Sequence, residues 1–174
     1  MFVEGKGSAK LTLYVDPASQ PSRSVLDFVR RTEIPFEIKE TVIAKFENRG
    51  KDFRAIFPTM CVPGIRDISS EGQKFHMSES GSIMKYLATT RNVADHWYPA
   101  EPRKRAVVDA YLDWHHTYLR VGTGQLVFRA IFLPLVFNKT MSDKALEFNW
   151  IRLYQSCKQM EEMINQNGGY LCSD

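Results

Sequence analysis

Ser19-Gln20-Pro21, with Arg23 close behind, is the first place along the chain where residue types and spacing could do chemistry. A serine hydroxyl just ahead of a helix can donate a hydrogen bond, and the helix N-terminus adds partial positive charge. Together they favour a bound anion. From spacing alone Ser19 equally reads as an ordinary N-cap. Arg23 lies four residues on, where it either adds positive field or pairs with a surface carboxylate. Glu79-Ser80 opens a second helix and offers exposed N–H groups and a hydroxyl suited to a carboxylate. Its plainer reading is a cap at Ser78 followed by an acidic first turn. Trp114-His115-His116 invites a metal or catalytic reading. Adjacent helical positions point about 100° apart, so neighbouring histidines chelate one ion poorly, and packing and surface roles are expected. Phe128, Phe132, Leu133 and Phe137 read as core or as the lining of an apolar pocket.

The totals narrow the classes. Of 174 residues, 44% are hydrophobic, which is enough for a core and too many for a disordered chain. Twenty-three basic residues oppose 20 acidic ones without long runs, so nucleic-acid binding has no support. The three cysteines, Cys61, Cys157 and Cys172, are far apart and form no C-x-x-C pair. That argues against a disulfide framework or a metal site and for a reducing compartment. Leu126 to Phe137, the longest apolar candidate, falls short of the ~18 residues of a membrane helix and contains Arg129 and Pro134. Met1 to Lys10 has no apolar run and does not read as a secretory signal. A cytoplasmic protein with no membrane and no nucleic-acid partner is expected.

Periodicity supplies the elements that must position these groups. Leu11, Leu13 and Val15 alternate with Thr12 and Tyr14 as a half-buried strand. Asp16 to Ser19 break it, and Pro21 opens a helix with Val25, Leu26 and Val29 on one face. Glu33-Ile34-Pro35 ends that helix. Phe36 and Ile38 alternate in a second strand. A weaker helical pattern runs from Lys45 to Ile56. Val62 to Ile65 and Lys74 to Met77 read as two hairpinned strands, followed by a helix from Glu79 to Leu87. The order is β-α-β-α-β-β-α, one α/β layer structure. Thr89 to Pro102 reads as a linker. A long helix follows, running towards Pro134, and then another capped by Ser142. Leu146, Trp150, Leu153, Tyr154, Cys157 and Ile164 lie along one face of that last helix, and Asn167-Gly168-Gly169 stop it. Two long helices cannot bury both faces of a domain, so the chain is expected to be a fragment of a longer protein.

Several motifs, in this order, resemble the glutathione transferases of the theta type. They are Leu13-Tyr14-Val15-Asp16 with Ser19-Gln20-Pro21-Ser22-Arg23, then Ile34-Pro35-Phe36-Glu37, then Val62-Pro63. Glu79-Ser80 with Ile83 and Tyr86-Leu87 follows, then Trp97-Tyr98-Pro99, then Val108-Asp109 with Tyr111-Leu112 and Trp114. The resemblance covers nearly the whole chain from Lys10. It implies an α/β plus all-α architecture: a thioredoxin-like domain over residues 9–88, a linker over 89–101 and part of a helical domain over 102–174.

The resemblance also implies a function, conjugation of glutathione to small electrophiles in detoxification, with peroxidase activity on hydroperoxides as a variant. Glutathione is the co-substrate, no metal is required, and a homodimer is expected. Ser19 and Arg23 are the implied catalytic residues. Gln20, Asn48, Cys61, Val62, Pro63, Glu79, Ser80 and Asp109 are the implied contacts, with Asp109 reaching glutathione on the partner subunit. Val62-Pro63 resembles the cis-proline turn that pairs with a ligand's cysteine like an added strand. Asn48 and Cys61 stand where the family commonly has a histidine and a lysine. Glutathione affinity would then be weaker, or Lys45, Arg49 or Lys51 would supply the missing positive charge.

The energetics suit Ser19. A free thiol titrates near ~8.5, and lowering that by about two units takes ~2.7 kcal/mol. A hydrogen bond to a charged group supplies roughly 1.5–3 kcal/mol and a helix N-terminus ~0.3–1 kcal/mol. No general base is then needed. The competing expectation is a non-catalytic interaction or ligand-binding module like the elongation factor gamma subunits, which has no need to keep Ser19 together with Glu79-Ser80.

Overall fold

The computed structural model describes residues 10–172. The reading of Met1 to Ala9 therefore lies outside the described residues. The chain divides into two compact units between Tyr98 and Pro99.

In the first unit, β1 (Lys10–Val15), β2 (Glu37–Glu40), β3 (Gly64–Ile68) and β4 (Lys74–Ser78) form one mixed sheet in the order β2-β1-β3-β4. β1 runs parallel to β2 and antiparallel to β3, and β3 pairs antiparallel with β4. The helices are α1 (Gln20–Arg31), α2 (Lys51–Ile56) and α3 (Ser80–Thr90). This is the thioredoxin-like order expected from the sequence.

β1 is buried on both faces, where the sequence suggested one. Leu11, Leu13 and Val15 join Val25, Val29, Ile65, Ile83 and Leu87 in the main core under α1 and α3. On the opposite face Tyr14 packs with Phe53, Phe57 and Val62 in a second cluster. Phe53 and Phe57 both lie edge-on to the Tyr14 ring. β2 is exposed throughout, as suits an edge strand. Lys45 to Ile56 is no single helix. Two short 3-10 turns, Ile43–Lys45 and Glu47–Arg49, precede α2, separated by Phe46 in the left-handed region (φ 59°).

β3 begins at Gly64, two residues later than the sequence suggested, directly after the cis peptide bond of Val62-Pro63. Ser78 does not cap α3. It ends β4, and its hydroxyl accepts from Thr59 Oγ1 at 3.4 Å. The cap position belongs to Glu79, whose backbone stands at φ 74°, ψ 109° and whose side chain makes no cap bond. Buried Asp67 anchors the far end of α3, accepting from Tyr86 Oη at 2.7 Å and from Arg91 Nη2 at 2.6 and 2.7 Å.

In the second unit, α4 (Pro102–Trp114), α5 (Arg120–Val127) and α6 (Leu133–Phe137) join into one 36-residue helix. Two π turns interrupt it, His115–Leu119 and Phe128–Phe132, where the N–H groups of Arg120 and Leu133 reach back five residues to His115 O and Phe128 O. Its length and composition would suffice to cross a bilayer, unlike the shorter stretch expected, but core helices of soluble proteins pass the same test. The last helix, α7 (Asp143–Gln166), packs on α5. Its expected apolar stripe is split: Leu146, Leu153 and Ile164 are half-buried, while Trp150, Tyr154 and Cys157 are exposed, as are Phe148 and Ile151 beside them. The buried positions are polar, Asn149 and Ser156, and each side chain donates to the carbonyl four residues back. Small residues allow this close approach. A Cβ on Gly122 would stand 3.1 Å from the Leu153 nitrogen. α7 stops where expected, with Gly168 and Gly169 at positive φ and Gly169 N–H bonded to Ile164 O. Phe128 and Phe137 are exposed rather than core.

Gly64 is the tightest point of the sheet. A Cβ there would lie 2.7 Å from two ring atoms of buried Phe57. Gly64→Ala should therefore destabilise the protein by about 1–3 kcal/mol, the usual cost of overpacking. Urea unfolding, monitored by far-ultraviolet circular dichroism, measures the loss.

Candidate functional site

The sheet register brings the singled-out residues to one edge. Val15 lies opposite Glu40, Tyr14 opposite Gly64, and Gly64 opposite Ser78. β1, β2 and β4 thus end where β3 begins. Ser19 follows the end of β1, Val62-Pro63 precede β3, and Glu79-Ser80 follow β4. Helices α1 and α3 both start at this edge. Two helix N-termini and a cis-proline turn therefore share it.

Ser19 is the N-cap of α1, at φ −78°, ψ 118°. Its Oγ accepts from Ser22 N–H at 3.4 Å, a long bond. Acceptance leaves the hydroxyl proton for donation. Pro21 occupies the first turn, where its missing N–H costs nothing. Among the described residues, Arg23 reaches no carboxylate. Its Nη1 donates to the carbonyls of Pro17 and Ala18 at 3.0 and 3.1 Å and so fastens the turn that carries Ser19. Gln20 is exposed, its amide donating to Ser24 Oγ.

Glu79 is exposed and holds a backbone conformation that L-residues rarely adopt, at a cost on the order of 1–3 kcal/mol. That geometry turns the chain sharply from β4 into α3. It leaves the first N–H groups of α3 without a side-chain cap, with half-buried Ser80 as the first helical residue. Strain of this kind concentrates at functional positions.

Asn48 is half-buried, and its Nδ2 donates to Met60 O at 2.7 Å. Its Oδ1 is buried with no hydrogen-bond partner. Asn48 thus braces the loop before the cis bond. Cys61, in that loop, is exposed, its thiol donating to Thr59 O at 3.3 Å. Val62 and Pro63 are buried. Asp109 belongs to the second unit, half-buried on α4. Among the described residues, no group of three His, Cys, Asp or Glu could hold a metal ion.

One residue of this edge escaped the sequence reading. Asp16, noted as a strand breaker and as part of the first motif but given no role, is buried and accepts two backbone hydrogen bonds, from Ala18 N–H and Ile43 N–H, both at 2.8 Å. The only sequence signal was an acidic residue ending an apolar strand. On the sheet face that carries Tyr14, His76 pairs across the ladder with Arg66 and lies edge-on to Phe57. Burial, reinforced by Arg66 and Lys74, holds its imidazole pKa below 6.5.

No protein-family model matches the chain. It is similar to glutathione S-transferase theta-1 of Homo sapiens, 31% identical over 161 residues, covering 92% of this chain and 65% of that protein. It is 32% identical over 176 residues to glutathione S-transferase theta-1 of Gallus gallus, covering 92% of this chain and 67% of that protein. Among solved structures it resembles human glutathione transferase theta-2 in complex with glutathione and an unknown ligand. There the TM-score is 0.80 at 30% identity, over 87% of this chain and 60% of that one. The chain thus spans about 65% of the human theta-1 length.

The His76 shift has a sign that can be measured. With its folded pKa lowered, the neutral imidazole carries its full stability contribution above pH 6.5, and that contribution is lost as pH falls through the lowered value. From about pH 7.5 to about pH 5.5 the protein should lose more stability than its His76→Gln variant. Paired urea titrations at the two pH values give the difference.

Proposed function

Since the chain belongs to the theta-class glutathione S-transferases, we propose that it forms the glutathione-binding edge and part of the helical domain of an enzyme that joins the glutathione thiol to small electrophiles. The observation that carries this reading is the state of Ser19. Its hydroxyl caps α1 only as a long-range acceptor, at the edge where α3 also begins.

Each end of the peptide has a matching group. The γ-glutamyl carboxylate takes the uncapped N–H groups and the hydroxyl at Ser80, an anion site at a helix N-terminus. Glu79 would take the ammonium. The cysteine main chain pairs with Val62 like an added strand. That leaves the sulfur over the start of α1, where Ser19 Oγ donates to the thiolate and the helix end adds its field. Arg23 supplies further positive charge while holding the turn, and Gln20 flanks the cap. At the glycine end Asn48 has one N–H left beyond its bond to Met60, and Cys61 offers no charge. Lys45, Arg49 or Lys51 would provide the cation there.

The thiolate attacks the electrophile directly, and Ser19 keeps its proton throughout. With a hydroperoxide as the electrophile the same thiolate would attack the terminal oxygen and break the O–O bond, giving the sulfenic acid of glutathione and an alcohol. The proposal extends to a two-fold dimer in which Asp109 approaches the neighbour's glutathione. Detoxification in the cytoplasm would be the setting.

Ser19→Ala is the direct test. The fold should hold, since losing an N-cap costs only ~0.5–2 kcal/mol. Glutathione should still bind, because Val62, Glu79 and Ser80 hold its backbone and ends. The thiol pKa, read from thiolate absorbance in the ultraviolet, should rise by about one unit or more. Conjugation at neutral pH should fall roughly tenfold or more. Unchanged activity and thiol pKa would reduce Ser19 to a cap.

A further inference from the structure

We propose that Asp16 is the positioning residue of this site, a buried strut that sets where the Ser19 hydroxyl stands. The inference rests on the reading of Ser19 given above.

Four bonds meet at Asp16. Its Oδ1 accepts from Ala18 N–H at 2.8 Å, and its Oδ2 accepts from Ile43 N–H at 2.8 Å. Its carbonyl accepts from Ser19 N–H at 2.9 Å. Its own N–H donates to Ser22 Oγ at 3.4 Å. The first and third define the turn that carries Ser19. The fourth reaches the first turn of α1, whose Ser22 N–H in turn donates to Ser19 Oγ. The second crosses to a segment 27 residues away in sequence.

That segment leads to the other side of the site. Thr41 N–H bonds to Val15 O, and Val42 N–H to the Glu47 carboxylate. The 3-10 turns that follow carry Asn48, whose amide holds Met60 O beside Cys61 and Val62. A continuous set of hydrogen bonds and short chain segments thus links Ser19 to the cis-proline loop, and Asp16 is the link between its halves. A neutral side chain could not make it. Both partners are donors, and only a carboxylate offers acceptor oxygens on both sides.

The charge itself works against the chemistry. A carboxylate close to a thiolate disfavours the anion, so removing it would by itself lower the thiol pKa. Asp16 therefore serves the site through geometry, and the two effects have opposite signs. In Asp16→Asn one amide oxygen replaces two acceptors and an NH2 group faces a donor. The charge is gone, yet displacement of Ser19 should raise the thiol pKa of bound glutathione by about half a unit or more, a roughly threefold or larger fall in its acid dissociation constant.

Ile43→Pro approaches the link from the other side. It removes the N–H that Oδ2 accepts and leaves the charge in place; because it also removes the Ile43 side chain that packs against the Tyr14 cluster, Ile43→Ala, which keeps the N–H, serves as its reference. Ile43 is the first residue of a 3-10 turn, and Val42 before it is extended (φ −76°, ψ 108°), which a following proline tolerates.

The experiment titrates the thiol of bound glutathione in the wild type, Asp16→Asn, Ile43→Pro with its reference Ile43→Ala, Ser19→Ala and the Asp16→Asn/Ser19→Ala double variant. A rise in Asp16→Asn and Ile43→Pro that vanishes when Ser19 is already alanine is the expected result. An unchanged or lowered pKa in Asp16→Asn, or in Ile43→Pro should Asp16→Asn fail to fold, overturns the strut. A purely stabilising role would lower the unfolding midpoint and leave the bound thiol untouched. If Ser19→Ala itself leaves the thiol pKa where it was, the reading of Ser19 falls first. A shift in Ser19→Ala without one in Asp16→Asn sinks only the role of Asp16.

Discussion

Burial of β1 on both faces is the constraint from which the first unit is built. A strand with Leu11, Thr12, Leu13, Tyr14 and Val15 all almost wholly inaccessible must be flanked by strands on both edges and by helices or side chains on both faces. β2 and β3 meet the first need. The core under α1 and α3 and the aromatic cluster around Tyr14 meet the second. A strand this enclosed has little freedom to shift, so what emerges from its end is placed with matching precision. That is where the chain sets Asp16 and then Ser19.

The edge shows how local costs can be carried by a global frame. Glu79 stands in a backbone region that disfavours its side chain, and Oδ1 of Asn48 is buried without a partner. Neither would persist in a loose loop. Both lie next to elements held elsewhere, Glu79 between β4 and the Asp67-anchored helix α3, and Asn48 against the carbonyl of Met60. Rigidity made at Asp67 and at Tyr14 is thus spent at the sheet edge, where sharp chain reversals let two helix starts share one surface.

Much of this was legible in the residues. Ser19 before Pro21 is a local capping signal, and the alternation in β1 is a period-two signal. Both depend on neighbours in sequence, and they found the cap and the strand, though not the burial of β1 on both faces. What escaped depends on distant partners. Asp16 looks like punctuation until Ile43 is brought to it. Ser78 looks like a cap because serines before helices usually are, but the left-handed turn at Glu79 takes it out of reach. The stripe on α7 misled for a related reason. Large apolar residues mark the buried side of most helices, yet Gly122 meets the α7 backbone at Arg152 and Leu153, and the fully buried positions of α7 are Asn149 and Ser156, each bonded to its own helix. The candidate site was legible as a set of residues, while its internal bracing was not.

The π turns of the long helix have a consequence for how such a chain can change length. Each closes a ring one residue wider than an α turn, so it holds one extra residue without turning the following helix by the usual 100°. A periodic reading that keeps strict phase from Pro102 to Phe137 therefore slips by one at each bulge, and the side chains it assigns to a common face drift apart. In evolutionary terms these are the two points along the helix where losing a residue is mildest. A deletion there would tighten a bulge into an ordinary turn and keep the downstream faces in place. The same deletion anywhere else would rotate everything after it, including the Gly122 surface on which α7 rests.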